Sequence, residues 1–154
     1  MKQPQDEATE IDKAFFLAAR AFVHSFKDSN FLAEFKLDRA QYYTLMWIED
    51  RQRARLKDLA QLMDLDQSTV SRHVNQLEAL SLVKKENDSD DLRSWFITLT
   101  PKGKNILDSI ELHRRQILEQ AIKNWSKKDK EMLKSLLERL WHDLTTHRET
   151  KEEQ

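Results

Sequence analysis

The chain of 154 residues has no cysteine, one glycine, two prolines and no apolar run approaching the length of a membrane span. Without cysteine there can be no disulfide, thiolate nucleophile or thiolate zinc site, and the chain suits a reducing compartment. A single glycine cannot supply the positive-φ turns of a sandwich or barrel, nor a phosphate-cradling or dinucleotide loop. The expected fold is therefore mainly α. A spanning helix needs about 18 or more consecutive apolar residues, and Met1 to Asp12 is acidic where a secretion signal is basic. We expect a cytoplasmic protein with no membrane contact. Charge of one sign is also lacking, with 26 basic against 27 acidic side chains and a formal net charge of −1. Domains whose whole surface grips nucleic acid are strongly basic, so any such role here needs a local patch.

What is present is helical periodicity. Ile11, Phe15, Ala18, Phe22 and Phe26 recur at steps of three and four, which predicts one helix over Glu10 to Lys27 with an apolar stripe. Asp38 followed by Gln41 reads as a capping box opening a helix through Tyr42, Leu45, Met46 and Ile48 that ends near Glu49 or Asp50. The densest positive stretch follows, with arginine at 51, 53 and 55 and lysine at 57. Leu56, Leu59, Ala60 and Met63 then form a short stripe. Asp64, Leu65 and Asp66 interrupt it, and Val70, Val74 and Leu77 begin another. Two short helices joined by a three-residue turn make a helix-turn-helix.

From Ser81 to Thr100 the texture changes. Leu82, Val83, Lys84 and Lys85 lead to a polar tip at Glu86 to Asp91. The return through Trp95, Phe96, Ile97, Thr98 and Leu99 is aromatic and β-branched, which predicts a two-stranded hairpin. Thr100 as cap with Pro101 in the first turn starts a helix expected to run to about Trp125. Its apolar positions include Ile106, Ile110, Ile117 and Leu118. Ser126 with Asp129 caps a last helix striped by Met132, Leu133, Leu136, Leu137, Leu140, Trp141 and Leu144. Beyond Thr145 the chain is polar and is expected to fray.

A helical wheel separates Val70, Val74 and Leu77 from Ser68, Ser71, Arg72 and Asn75, which fall on the opposite side. Arginine can donate in bidentate fashion to guanine, asparagine can pair with adenine, and short hydroxyl residues permit close approach to a major groove. The plainer alternative is a solvated surface face. The hairpin directly after this helix completes a winged-helix arrangement, which flanks the reading helix with a second contact.

Leu59, Ala60, Leu62, Ser68 to Val74, Leu77, Glu78, Leu82 and Val83 resemble the MarR (multiple antibiotic resistance regulator) family, as do Asp91, Arg93, Leu99, Thr100, Lys102 and Gly103. Leu37, Gln41 and Leu45 are similar to that family's second helix. The resemblance implies a mainly α fold with one small β-hairpin wing. It also implies three parts: residues 1–36 as an N-terminal dimerisation helix, 37–100 as the winged helix-turn-helix lobe, and 101–154 as C-terminal dimerisation helices. By function it implies a homodimeric bacterial repressor of a palindromic double-stranded DNA operator, released by a small aromatic or lipophilic effector. Ser68, Thr69, Ser71, Arg72 and Asn75 would face the major groove, with Gln67 and the helix-start amides on phosphate. Asp91 would orient Arg93 toward DNA, or the two form an ordinary surface pair. Lys84 and Lys85 would contact phosphate or simply protect a strand edge. Leu92 stands where the family often has a second arginine, and Asp64 and Ser81 stand where it usually has glycine.

No catalytic arrangement, cofactor or metal site is expected. The histidines at 24, 73, 113, 142 and 147 show no convincing ligand spacing. Arg20, His24, Tyr42, Tyr43 and Trp47 are candidates for an effector pocket, against the reading that these aromatics are core. A different class of function is also compatible with the sequence: a dimeric winged-helix adaptor without specific DNA binding.

Overall fold

The computed structural model of the chain describes residues 4–28, 30–87 and 95–152, with the backbone alone at 4–5, 27–28 and 147–152. The elements run α1 (Pro4–Asp28), α2 (Phe31–Glu34), α3 (Arg39–Arg51), β1 (Ala54–Arg55), α4 (Leu56–Met63), α5 (Gln67–Ala79), β2 (Val83–Asn87), β3 (Trp95–Leu99), α6 (Pro101–Ala121) and α7 (Lys127–Glu152). The chain divides into two compact units, Met1–Ile117 and Leu118–Gln154.

The core lies in the first unit. Leu45 and Ile48 of α3, Leu59 of α4 and Val70, Val74 and Leu77 of α5 are buried together with Leu82, Val83 and Ile97 of the turn and sheet, and Leu107 and Ile110 of α6. α3, α4 and α5 contribute the stripes their periodicity predicts, whereas α6 buries Leu107, which the expected stripe omitted, together with Ile110, and leaves Leu118 exposed. The capping box of α3 is present: the Gln41 amide donates to Asp38 Oδ1 at 2.8 Å, and the Asp38 amide donates to Gln41 Oε1 at 2.9 Å. The other end of Gln41 reaches α5, where Nε2 donates to Gln76 Oε1 at 2.9 Å. One buried glutamine thus both starts α3 and fixes α5 against it.

The expected hairpin is present as β2 and β3, and a further strand joins it. The sheet has three antiparallel strands in the order β1-β3-β2, with Ala54 opposite Ile97 and Arg55 opposite Phe96 on one side of β3, and Val83 to Asn87 opposite Leu99 to Trp95 on the other. A two-residue strand is too short to carry an alternation, and it exists because β3 offers an unpaired edge. Its Ala54 points into the core while Arg53 and Arg55 place their guanidinium groups 4.0 and 5.0 Å from the Phe96 ring centroid on the opposite face.

Three helix boundaries also depart from expectation. α1 begins at Pro4 rather than Glu10, and α2 is a single turn that no periodicity announced. α6 stops at Ala121, followed by a turn in which the Trp125 amide donates to the Ile122 carbonyl at 3.1 Å. Beyond Thr145, where the sequence is polar, α7 continues to Glu152. There the Thr145 and Thr146 hydroxyls bond back to the Trp141 and His142 carbonyls at 3.0 and 2.9 Å.

The junction of α5, β2 and α6 is latched by polar contacts. Thr100 Oγ1 donates to the Ser81 carbonyl at 2.7 Å and accepts from the Gly103 amide at 3.0 Å, so Thr100 is the cap of α6 as expected. Lys102 Nζ donates to the Leu80 carbonyl at 2.8 Å. Among the described residues no helix is long and apolar enough to cross a membrane.

Candidate nucleic-acid interface

α5 is held at both ends. At its start Asp66 is the cap: its carboxylate accepts from the Thr69 amide at 2.8 Å, from Thr69 Oγ1 at 2.7 Å and from the Ser68 hydroxyl. Those hydrogen bonds, the side-chain ones first, hold the Asp66 carboxyl well below the usual carboxylate range. At its end the Leu82 amide donates to the Leu77 carbonyl at 2.9 Å and the Ser81 amide to the Glu78 carbonyl at 2.8 Å. That pair of bonds is a Schellman closure with Ser81 left-handed at φ 61°. α4 closes on Asp64 at φ 52°. Both residues standing where glycine is usual therefore do occupy the conformation for which glycine is favoured.

The helix between these caps presents Gln67, Ser68, Arg72 and Asn75 to solvent, with Thr69 and Ser71 half-buried, while Val70, His73, Val74 and Leu77 are buried. The wheel is thus realised. The closures impose restrictions that the sequence did not reveal. With Ser68 and Thr69 donating to Asp66, their hydroxyls have lone pairs left for acceptance, and the Thr69 amide is no longer free for a phosphate. His73 is sealed in the lobe, and among the described residues its Nδ1 has no hydrogen-bond partner.

The two wing lysines are both engaged within the chain. Lys85 Nζ donates to Asn75 Oδ1 and Glu78 Oε2, each at 2.7 Å, and so bridges the wing to the exposed face of α5. Lys84 pairs with Glu86 at 2.5 Å, and this hydrogen-bonded ammonium lowers the Glu86 carboxyl. Asp91, Leu92 and Arg93 lie outside the described residues. Between α5 and the sheet runs a cleft of about 760 Å³, walled by Gln67, Ser71 and Glu78 on one side and Lys85 and Trp95 on the other, with Arg55 and Lys57 at its edge.

The five effector-pocket candidates are dispersed. Arg20, His24 and Tyr43 are exposed and Trp47 is half-buried, whereas Tyr42 is buried. The Tyr42 hydroxyl accepts from Arg114 Nη1 at 2.8 Å. Burial pushes its pKa up, against the opposing pull of Arg114. Tyr42 packs beside Phe26 and Tyr43 at ring-centroid distances of 5.8 and 5.5 Å. A cleft of about 360 Å³ near the end of α1 is lined by Val23, Phe26, Phe31, Leu32, Leu37 and Arg39, among others, and by none of the five. Among the described residues no group of three or more histidine or carboxylate side chains could hold a metal ion.

Sequence reasoning missed Asp66 as the organiser of α5, although an aspartate three residues before Thr69 is an N-cap pattern. It also missed Glu78 as the partner of Lys85. No local signal announces that contact, because the two residues meet only when the wing folds against the helix.

A family model described as MarR family matches residues 35–94, which spans α3, β1, the helix-turn-helix and β2, and ends just before β3. The uncharacterised HTH-type transcriptional regulator YxaD of Bacillus subtilis is 38% identical over 104 residues, 68% of this chain and 73% of that protein. The HTH-type transcriptional regulator SarZ of Staphylococcus epidermidis is 29% identical over 92 residues, 60% of this chain and 61% of that protein. Among solved structures, a MarR family protein from Bacillus stearothermophilus superposes with a TM-score of 0.84 at 19% identity, covering 94% of this chain and 99% of that one. A mutant MarR from E. coli complexed with operator DNA superposes with a TM-score of 0.65 at 16% identity, covering 90% of this chain and 99% of that one. With the helix-turn-helix, the wing and the identity to YxaD together, the chain belongs to the MarR family of DNA-binding transcription regulators.

Proposed function

We propose that two copies of this chain form a homodimer that binds a palindromic DNA operator and represses transcription there, and that a small aromatic or lipophilic effector releases it. The observation that carries the reading is α5: a helix clamped into a core on one face and offering Gln67, Ser68, Ser71, Arg72 and Asn75 on the other, beside a wing. Arg72 suits guanine, and Asn75 donates or accepts according to how Lys85 holds its carboxamide. Asp91 and Arg93 would extend the contact from the wing to the neighbouring minor groove.

Dimerisation is supported by apolar surface left uncovered in one copy. On α1, Ile11, Phe15, Phe16 and Leu17 are all at least half exposed. Within the second unit α7 exposes Met132, Leu136, Leu140, Trp141 and Leu144. Surfaces of this kind mark association sites. Two lobes would meet half-sites about 34 Å apart, and an effector that favours another spacing would release the operator. The aromatic group of Phe26, Tyr42 and Tyr43 is where such an effector would act, with Arg20, His24 and Trp47 as further candidates.

Selection of bound sequences from random duplex DNA at fixed salt tests the reading. A palindromic consensus is expected, and no enrichment overturns it. Arg72→Ala should then weaken the selected operator by roughly 5- to 150-fold relative to scrambled DNA, the worth of about 1–3 kcal/mol for one base contact. A second reading, a dimeric adaptor, draws on the carboxylates of Asp66 and Glu78 beside the reading face. It predicts no enrichment at all.

A further inference from the structure

Lys84 and Lys85 are neighbours in β2, yet the pleat of a strand sends successive side chains to opposite faces of the sheet. Lys84 turns to one face and pairs with Glu86. Val83 goes into the core on the other face, and Lys85, two residues on and opposite Ile97, reaches α5 from there. Its Nζ donates to Asn75 Oδ1 and to Glu78 Oε2, each at 2.7 Å. Asn75 and Glu78 are three residues apart and share a helix face. An ammonium carries donors only, so the atom of the Asn75 carboxamide that meets it must be the oxygen, and Nδ2 is turned to the other side. The orientation of the amide is thereby fixed. Beyond these two bonds Nδ2 keeps two hydrogens and Nζ keeps one. The second lone pair of Oδ1 lies beside a positive charge, where an incoming amine would bring its hydrogens against the ammonium. Asn75 is exposed, so this donor-rich group stands on the outward face of α5.

We propose that Lys85 is a positioning residue that makes Asn75 a reader of guanine and turns it away from adenine. The inference rests on the proposed placement of α5 in a major groove. Guanine shows two acceptors there, N7 and O6, whereas adenine shows the N7 acceptor and the N6 amine. An asparagine that rotates freely satisfies adenine with one donor and one acceptor. With its oxygen held by an ammonium, Asn75 meets guanine with donors alone. On α5 by itself Asn75 would suit adenine, and the wing reverses that choice. Glu78 has a part in this, because its carboxylate keeps the ammonium on α5 and away from phosphate. Exposed bridges of this kind are weak in water and strengthen when a duplex excludes solvent.

The test repeats the selection from random duplex DNA with the full chain as parent, Asn75→Ala, Lys85→Met and Lys85→Arg. The base pair that Asn75 meets is the one whose preference Asn75→Ala loses, and the parent should hold guanine there. Lys85→Met keeps most of the side-chain length and removes the donors. The guanine-to-adenine ratio at that pair should then fall by about fivefold or more, while the positions that depend on Arg72 stay as they are. Lys85→Arg keeps a cation able to bridge both acceptors and should keep guanine. Asn75→Ala and Lys85→Met combined should show no preference at that pair, since Lys85 acts through Asn75. Placing 7-deazaguanine there in the selected operator removes one acceptor, and should weaken the parent while leaving Asn75→Ala unaffected. Adenine at that pair in the parent overturns the assignment, and so does an unchanged ratio in Lys85→Met. Equal losses of Lys85→Met on operator and scrambled DNA, or a parental consensus from Asn75→Ala, overturn it as well. Each of these results leaves the DNA-binding reading intact. A parent that selects no consensus overturns both.

Discussion

Gly103 stands in the first turn of α6 directly over the carbonyl of Leu82. A Cβ built there would lie 2.0 Å from that oxygen, which itself accepts the Thr100 amide at 3.0 Å. The obstacle is backbone, so it cannot step aside. Gly103→Ala should cost about 2–3 kcal/mol, although the same change in an unobstructed helix would gain about 1 kcal/mol; a raised unfolding midpoint would contradict the clash. The left-handed positions are filled by other residues, since Asn30, Lys36, Gln52, Asp64 and Ser81 all have φ between 52° and 61°. Ser81 takes part in the latch through its carbonyl, which a glycine would keep. Ser81→Gly should therefore stabilise by about 1 kcal/mol, seen in thermal unfolding at fixed protein concentration as a rise of roughly 2–4 °C.

Among the elements, α5 depends most on one side chain, the Asp66 carboxylate. A carboxyl whose folded pKa lies below its ordinary value near 3.8 stabilises the fold at pH above that value, and the contribution fades as pH falls through the lower folded pKa. Asp66→Asn should thus lower the unfolding midpoint at neutral pH, with the difference from the parent narrowing as the solution is made strongly acidic. A pH-independent difference would mean that charge plays no part in the cap. Lys85 is the matching contact on the other flank of the helix. Much of this level is readable in sequence, because caps, stripes and the Ser126 start of α7 depend on residues a few positions apart. β1 is not readable, since two residues become a strand only against β3. The Lys85 contacts to Asn75 and Glu78 are equally hidden.

For the molecule as a whole, the imbalance is apolar surface. Phe16 is 61% exposed in α1 and Trp141 is 69% exposed in α7. Phe16 and Leu17 also fall off the stripe of Ile11, Phe15 and Phe22, so α1 exposes apolar side chains on more than one face. Apolar surface of this extent marks an association face. Phe16→Glu and Leu140→Glu should each shift the chain toward monomer in sedimentation experiments, while the lobe keeps its buried core. Each should also lower operator affinity, because a single lobe loses the second half-site. A dimer that persists in both variants would place the interface elsewhere.

The sequence by itself determined the helical class, the helix-turn-helix, the hairpin wing and the division of α5 into an inward and an outward face. These follow from periodicity, caps and the near absence of glycine, all of which act over a few residues. Only the tertiary structure decided that Ala54 and Arg55, within the basic stretch, become a third strand on the edge of β3. It also decided that Asp66 and Lys85 restrict which polar groups α5 can offer, and that the single glycine serves close backbone approach instead of a turn. Those outcomes depend on residues far apart in the chain meeting in space, and no local pattern encodes such a meeting.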